Sequence, residues 1–343
     1  MVDLFGSQLN SPCGTFVPQL DRLPDSSLPL THELQSSKAE LDRLLEKAIE
    51  QYQIREYDAA LYGFTCVLSG YRNLPDLQGE GMTLSGMGLA FYAQGQYAEA
   101  IAHSYQALAI ARQALDRRTE RQALGNLGNA YRHLNDYPKA IEYKQQALNV
   151  AREIRDYRGE MAALNNLGMA YKAMGDHAAA IAHYREALAL ARLLHDAQVE
   201  AQVLRNLGNA YHAQANFAKT VECYEQLLDI ARQLDDLPME GQILKNLASA
   251  SYTQGDCDRA IIFHQRRLVI ARTIKDYRNA EQALESLGVI YDAQGNYSQA
   301  IDCYEQRLAI AKLAQDPGLE QQILTSLRSV CYAVGDYARA SRY

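Results

Sequence analysis

Four asparagines, Asn126, Asn166, Asn206 and Asn246, recur every 40 residues, and the same place holds Ser286 and Ser326 further along. A primary amide offers one acceptor and two donors, enough to pair with the N–H and C=O of an extended peptide without reading its sequence. The alternative is an amide that bonds to the neighbouring repeat. A second ladder is acidic: Asp116, Asp156, Asp196 and Asp236 each precede a glutamate, Glu120, Glu160, Glu200 and Glu240. Carboxylates so spaced could hold a cation, yet Asp at that place caps an incoming helix and Glu one turn on favours the positive end of its dipole. Arg112, Arg152, Arg192, Arg232, Arg272 and Lys312 lie four residues before Asp positions of the same period, where a local ion pair of a few tenths of a kcal/mol is expected. The eight histidines form neither HExxH nor an i, i+4 pair, so no metal site is expected. Gly86-x-Gly88 lacks a third glycine in register and follows no strand, so it is no dinucleotide loop. Nothing local resembles a nucleophile elbow. Neither a cofactor nor catalysis is expected.

These side chains are positioned by a repeat. Asp76, Asp116, Asp156, Asp196, Asp236, Asp276 and Asp316 set a period of 40, and each period carries two amphipathic segments. In the first, Leu84, Leu124, Leu164, Leu204, Leu244, Leu284 and Leu324 are followed three residues later by Met87 or by Leu127, Leu167, Leu207, Leu247, Leu287 and Leu327. Spacings of three and four put them on one helical stripe. A small residue comes next (Gly88, Gly128, Gly168, Gly208, Ala248, Gly288). Glycine inside a helix costs roughly 1 kcal/mol, so the second helix is expected to pack closely there, bringing Ala100, Ala140, Ala180, Ala260 and Ala300. Between the two helices stand Gly95, Gly175, Gly255, Gly295 and Gly335, with Asn135 in one copy, the residues that best end a helix in the left-handed conformation. Residues 1–35 hold four of the eight prolines and no helical or strand period, which reads as an extended, largely disordered arm. Residues 36–343 hold the repeats.

Charge and cysteine usage narrow the function classes. A formal net charge of -7 argues against general nucleic-acid binding, and no run of about 18 apolar residues offers a membrane helix. The six cysteines show no CxxC pair and read as buried structural thiols of a reducing compartment. The opening MVDLFGSQLN has no basic or apolar leader region, so the cytoplasm is expected.

The set Leu-x-x-Leu-Gly-x-x-Tyr, followed by Ala and then Ala-Leu, resembles the tetratricopeptide repeat over about 40–343. The period of 40 exceeds the family's usual ~34, and in that it is similar to the long-repeat subclass of Partner of Inscuteable-type adaptors and kinesin light chains. Ala248 and Ser251 depart from the pattern in the sixth copy, and Arg328 and Cys331 in the last. The resemblance implies an all-α, right-handed solenoid of stacked helical hairpins, about seven full repeats and a partial eighth. It also implies that the first helix of each repeat lines a concave groove. The candidate groove set is then Asn126, Asn129, Arg132, Asn166, Lys172, Arg205, Asn206, Asn209, His212, Lys245 and Asn246, cationic through the middle repeats and turning acidic at Glu285 and Asp292. Arg205-Asn206-x-x-Asn209 and Lys245-Asn246 resemble the residues that grip carboxylates in members binding acidic or C-terminal peptides; the other reading is solvated surface. The function expected is a non-catalytic scaffold, adaptor or assembly factor binding another protein's extended acidic segment. The alternative is a peptide-sensing regulator whose superhelix changes shape. The last second helix is short, which leaves Leu324, Leu327, Val330 and Val334 as an expected apolar patch open to self-association.

Overall fold

The computed structural model describes residues 29–343, and among them the elements are sixteen helices joined by tight turns. They fall into two compact units. The first, ending at Asn166, contains α1 (Pro29–Gln53), α2 (Tyr57–Arg72), α3 (Leu77–Ala93), α4 (Tyr97–Gln113), α5 (Arg117–His133) and α6 (Tyr137–Glu153). Helix α7 (Tyr157–Ala173) carries the boundary. The second unit contains α8 (His177–Leu193), α9 (Ala197–Ala213), α10 (Phe217–Gln233), α11 (Leu237–Thr253) and α12 (Cys257–Thr273). It continues with α13 (Tyr277–Ala293), α14 (Tyr297–Ala314), α15 (Pro317–Ala333) and the short α16 (Tyr337–Ala340). Within each unit every helix packs on its successor, so hairpins stack in chain order, α2 on α3 and α4 on α5 in the first, α10 on α11 and α12 on α13 in the second.

The helices start where carboxylates or amides can cap them. Asp76, Asp116, Asp136, Asp176, Asp196, Asp236, Asp256, Asp276, Asp316 and Asp336 each accept a backbone N–H two or three residues on. Each such cap contributes about 1 kcal/mol. The aspartate ladder is therefore structural, and no group of three metal-ligating side chains is found among the described residues. Helices stop at left-handed residues. Within hairpins this is glycine at 95, 175, 255, 295 and 335, as expected; between hairpins it is Leu115, Arg155, His195, Asp235, Lys275 and Gln315, at φ of 51° to 57°. No glycine marks this second series, so its conformation is imposed by the packing of successive hairpins.

The small residue after the Leu pair receives a side chain one turn beyond the expected alanine. An added Cβ on Gly128 would lie 2.5 Å from Lys144 Cγ, on Gly168 2.5 Å from the Tyr184 ring, and on Gly288 2.6 Å from the Tyr304 ring. At the one copy with alanine, Ala248, the corresponding filler is the smaller ring of His264. The leucine pairs close the cores: Leu84, Leu124 and Leu127 in the first unit, Leu284, Leu287, Ile323 and Leu327 in the second.

Two expectations are corrected. The arginines at the ends of the second helices do not pair with the aspartates four residues on, whose carboxylates face their own helix N-termini. They reach eight residues on instead, Arg72 to Glu80 (3.0 Å), Arg112 to Glu120 (2.9 Å), Arg152 to Glu160 (2.7 Å), Arg192 to Glu200 (2.8 Å) and Arg232 to Glu240 (3.1 Å). With the arginine half-exposed in each, pairs of this kind contribute up to about 1 kcal/mol, here across the seam between successive hairpins. Helix α1 begins at Pro29, within the stretch expected as an arm; proline suits a first helical turn, whose N–H groups have no partner in the helix. The rest of the expected arm, 1–28, lies outside the described residues. Second, the apolar patch expected at the end is mostly interior: Leu327 and Val330 are buried against α13 and α14, and of the four only Val334, 51% exposed, stands open. None of the described cysteines forms a disulfide, and burial pushes the thiols of Cys223 and Cys303 up to about 11.

Candidate functional site

The amide ladder lies one residue ahead of the Leu-Gly pair in the first helix of each hairpin. Asn126, 8% exposed, turns its Nδ2 to the Ser85 carbonyl of α3 at 3.1 Å. Its donor thus ties one hairpin to the previous one, the alternative open from the sequence. Asn166, Asn206 and Asn246 are half-buried at the same place.

A second amide position, directly after the small residue, has an inward partner. Asn129 Oδ1 accepts the Lys144 ammonium at 2.6 Å, and Asn209 Oδ1 accepts the Tyr224 hydroxyl at 2.6 Å. Both donors come from the filler side chain of the second helix, whose polar tip arrives at the residue beside the notch. Neither Lys144 nor Tyr224 stood out in the sequence. The sign that could have found Lys144 is its departure from Tyr184, Tyr224 and Tyr304 at the same position of the repeat.

In the first unit these contacts build a cationic and aromatic cluster. Lys144 is 1% exposed, and burial together with the Arg132 charge brings its ammonium down to about 7. Arg132 Nη2 meets His133 Nε2 at 3.0 Å, and His133 stacks on Tyr97 with ring centroids 4.9 Å apart. Burial, then Arg132 and Lys144, hold His133 below the usual histidine range. Beside it, the Tyr105 hydroxyl bonds those of Tyr131 (2.9 Å) and Tyr143 (2.7 Å).

In the second unit the candidates gather around Tyr224. This side chain, 2% exposed, bonds Asn209 of α9. Burial raises the phenol to about 12, Cys223 adds to this, and Arg205 with Asn246 oppose it. One filler therefore holds the Asn209 amide, with Arg205 and Asn246 near enough to act on its phenol. Arg205, His212 and Lys245 are exposed, and Lys172 is half-buried. Among the described residues neither Arg205 nor Lys245 enters an ion pair, whereas the neighbouring Arg192 and Arg232 are both neutralised. The acidic end expected at Glu285 is different: its carboxylate accepts the buried Arg307 at 2.8 Å.

Comparison with known proteins agrees with this geometry. A family model described as tetratricopeptide repeat matches residues 79–153, 119–193, 199–273 and 243–312. No curated protein matches. Among solved structures, the chain is similar to a signal-transduction ATPase with numerous domains from Pyrococcus horikoshii that carries a tetratricopeptide repeat sensor, with a TM-score of 0.63 and 19% identity over 90% of this chain. The match spans 46% of that protein, about half its length. It is also similar to the apo form of RapI, TM-score 0.57 and 14% identity over 80% of this chain and 99% of that one. A third likeness is to aspartyl phosphate phosphatase F from Bacillus subtilis, TM-score 0.56 and 15% identity over 85% and 74%. At these identities the likeness is one of fold. No helix among the described residues is long and apolar enough to cross a membrane.

Proposed function

The chain belongs to the tetratricopeptide repeat family, and from that premise we propose that it is a non-catalytic protein-interaction module that binds an extended acidic segment of another protein. The observation that carries this reading is a pair of cations in the second unit that enter no ion pair among the described residues. Arg205 and Lys245 occupy one position on successive first helices, each followed by an amide, Asn206 and Asn246. Arg192 and Arg232, on the second helices just before α9 and α11, have glutamate partners at 2.8 Å and 3.1 Å, whereas among the described residues Arg205 and Lys245 have none. An arginine fork and a lysine point charge suit carboxylates of a peptide, while amides suit its backbone. The Asn209 bond to Tyr224 helps hold the surface in shape before a ligand arrives, which lowers the ordering cost of binding. Asn126 and Asn129 serve this reading as supports, since their inward bonds are already made.

The test is fluorescence anisotropy of the full chain with an extended Glu-rich peptide and its Gln-rich counterpart. The Glu peptide should bind more tightly, with affinity falling as salt rises. Arg205→Ala with Lys245→Ala should weaken it more than tenfold. Equal affinity for both peptides, or an unchanged affinity in the double variant, removes the reading.

A further inference from the structure

One core position of the second helices changes character along the chain. It holds Ala107, Ala147, Ala187 and Leu227, and then arginine twice, Arg267 and Arg307. Both arginines are buried, at 2% and 4% exposure. Removing a guanidinium from water is costly unless its charge is matched and its N–H groups are bonded. Arg307 meets both conditions inside its own hairpin: Nε donates to Glu281 at 2.5 Å and Nη2 to Glu285 at 2.8 Å. Forty residues earlier those two glutamates are replaced by Gly241 and Lys245.

Arg267 accordingly turns to the next helix, where Nη2 donates to two neutral amides, Asn279 Oδ1 at 2.6 Å and Gln282 Oε1 at 2.9 Å. Its Nε is buried and has no partner among the described residues. The nearest acids are engaged elsewhere: Asp276 accepts the Asn279 backbone N–H (2.9 Å) and side-chain amide (2.6 Å), and Glu281 is held by Arg307. Burial pulls the Arg267 guanidinium below its ordinary range, with Asp276 and Glu281 only opposing this from a distance. Where the missing side chain of residue 241 would lie there is a pocket of about 350 Å³, open solvent included, whose walls include Gly241, Gln242, Arg267, Ile270, Asp276 and Asn279. An added Cβ on Gly241 would meet only Ile270 Cγ2, at 3.7 Å.

We infer that this pocket binds a carboxylate from outside the chain, which fills the space left at Gly241 and accepts the Nε–H of Arg267 as Glu281 accepts that of Arg307. Ile270 offers an apolar wall to the carbon chain of the acid. Asp276 on the lining repels a second negative charge, which favours a monocarboxylate over divalent phosphate. The carboxylate belongs either to a small free acid or to a Glu or Asp side chain of a bound peptide. The site shares no lining residue with Arg205 or Lys245 and stands apart from the function proposed above.

The test titrates the full chain with acetate, acetamide, phosphate and N-acetylglutamic acid α-amide at constant ionic strength, followed by ligand NMR, with thermal unfolding in parallel. Acetate should bind saturably, acetamide and phosphate at least tenfold more weakly. Gly241→Glu, which supplies the carboxylate in the chain, should weaken acetate at least tenfold, as should Arg267→Leu, which takes the residue found at position 227. Gly241→Glu should also melt above Gly241→Gln, with the gap lost when Arg267→Leu is added. Arg205→Ala with Lys245→Ala should leave acetate binding unchanged, which separates a failure here from a failure of the peptide reading. If the glutamate derivative binds tenfold more tightly than acetate, the source is a peptide side chain; the reverse order identifies a free acid. No saturable acetate binding, or equal binding to wild type and Gly241→Glu, overturns the inference. Should Arg267→Leu not fold, the Glu and Gln variants at 241 decide it, since both keep Arg267.

Discussion

Hairpins α5–α6 and α9–α10 are built on the same notch and filled with different chemistry. In each, a glycine inside the first helix receives a long side chain from the second, and the polar tip of that side chain donates to the asparagine following the glycine. In α5–α6 the filler is Lys144, bonded to Asn129 at 2.6 Å; in α9–α10 it is Tyr224, bonded to Asn209 at 2.6 Å. The helix pair sets the shape of the notch, and the asparagine sets a demand for one donor. An ammonium and a phenol both satisfy it. The cost differs, because burial opposes the lysine charge and leaves the tyrosine neutral, the lysine falling to about 7 and the phenol rising to about 12.

The sharpest way to break this equivalence is with pH. Unfolded, Lys144 holds its proton up to about 10.5, whereas folded it releases it near 7. Between these values the unfolded chain binds more protons, so stability should rise with pH across that window, and the full penalty applies below about 7. A shift of this size corresponds to something on the order of 4–5 kcal/mol. Lys144→Tyr should therefore stabilise the chain by a few kcal/mol at pH 6 and flatten its urea midpoint between pH 7 and 10. An equal slope in both proteins would show that the lysine is not the titrating group.

A smaller effect should separate the two glycines. On Gly128 a new methyl would lie 2.5 Å from Lys144 Cγ and 3.1 Å from the Ala140 carbonyl, whereas on Gly208 the nearest atoms are ring carbons of Tyr224 at 3.3 Å and 3.4 Å. Gly128→Ala should cost about 2 kcal/mol through overpacking. Gly208→Ala should come close to neutral, its milder crowding offset by roughly 1 kcal/mol of helix propensity. Thermal melts of the two variants measure the difference, and equal losses would mean that the notches are equally tight.

The smallest expected effect lies in the turns of the same hairpins. Both place a residue at positive φ, Asn135 at 61° and Ala215 at 56°. Asparagine tolerates that region and alanine does not. Ala215→Gly should stabilise by about 0.5 kcal/mol after the extra chain entropy of glycine is counted, and Asn135→Gly should change little. Chemical denaturation of the pair checks the sign.

Much of this fold was legible because it is local. The period of 40, the paired helices, the capping aspartates and the turn glycines all depend on residues within a few positions of one another. The candidate surface was legible only in part. Arg205 and Lys245 could be singled out from repeat position, but nothing near Asn126 in sequence shows that its amide turns inward, since its bond to Ser85 spans 41 residues. The arginine ladder misled for a related reason. Asp116 and Glu120 both lie within reach of Arg112 along the chain, and only the direction in which the next helix leaves the turn decides that Glu120 takes it, at 2.9 Å. Leu115 and Lys275 at φ of 55° and 57° carry no turn signal, because the stacking of hairpins holds them there.

The sequence by itself determined the elements, their period and their order, since helix propensity, capping and a stripe of leucines act over one or two turns. Tertiary structure decided which polar groups are turned inward, Asn129 and Asn209 onto their fillers and Glu285 onto Arg307. It also decided which charge was left over, Arg267 beside Gly241. The physical reason is that a buried charge or amide is satisfied by whatever another helix brings within about 3 Å, and that distance is set by packing between helices, which no run of neighbouring residues encodes.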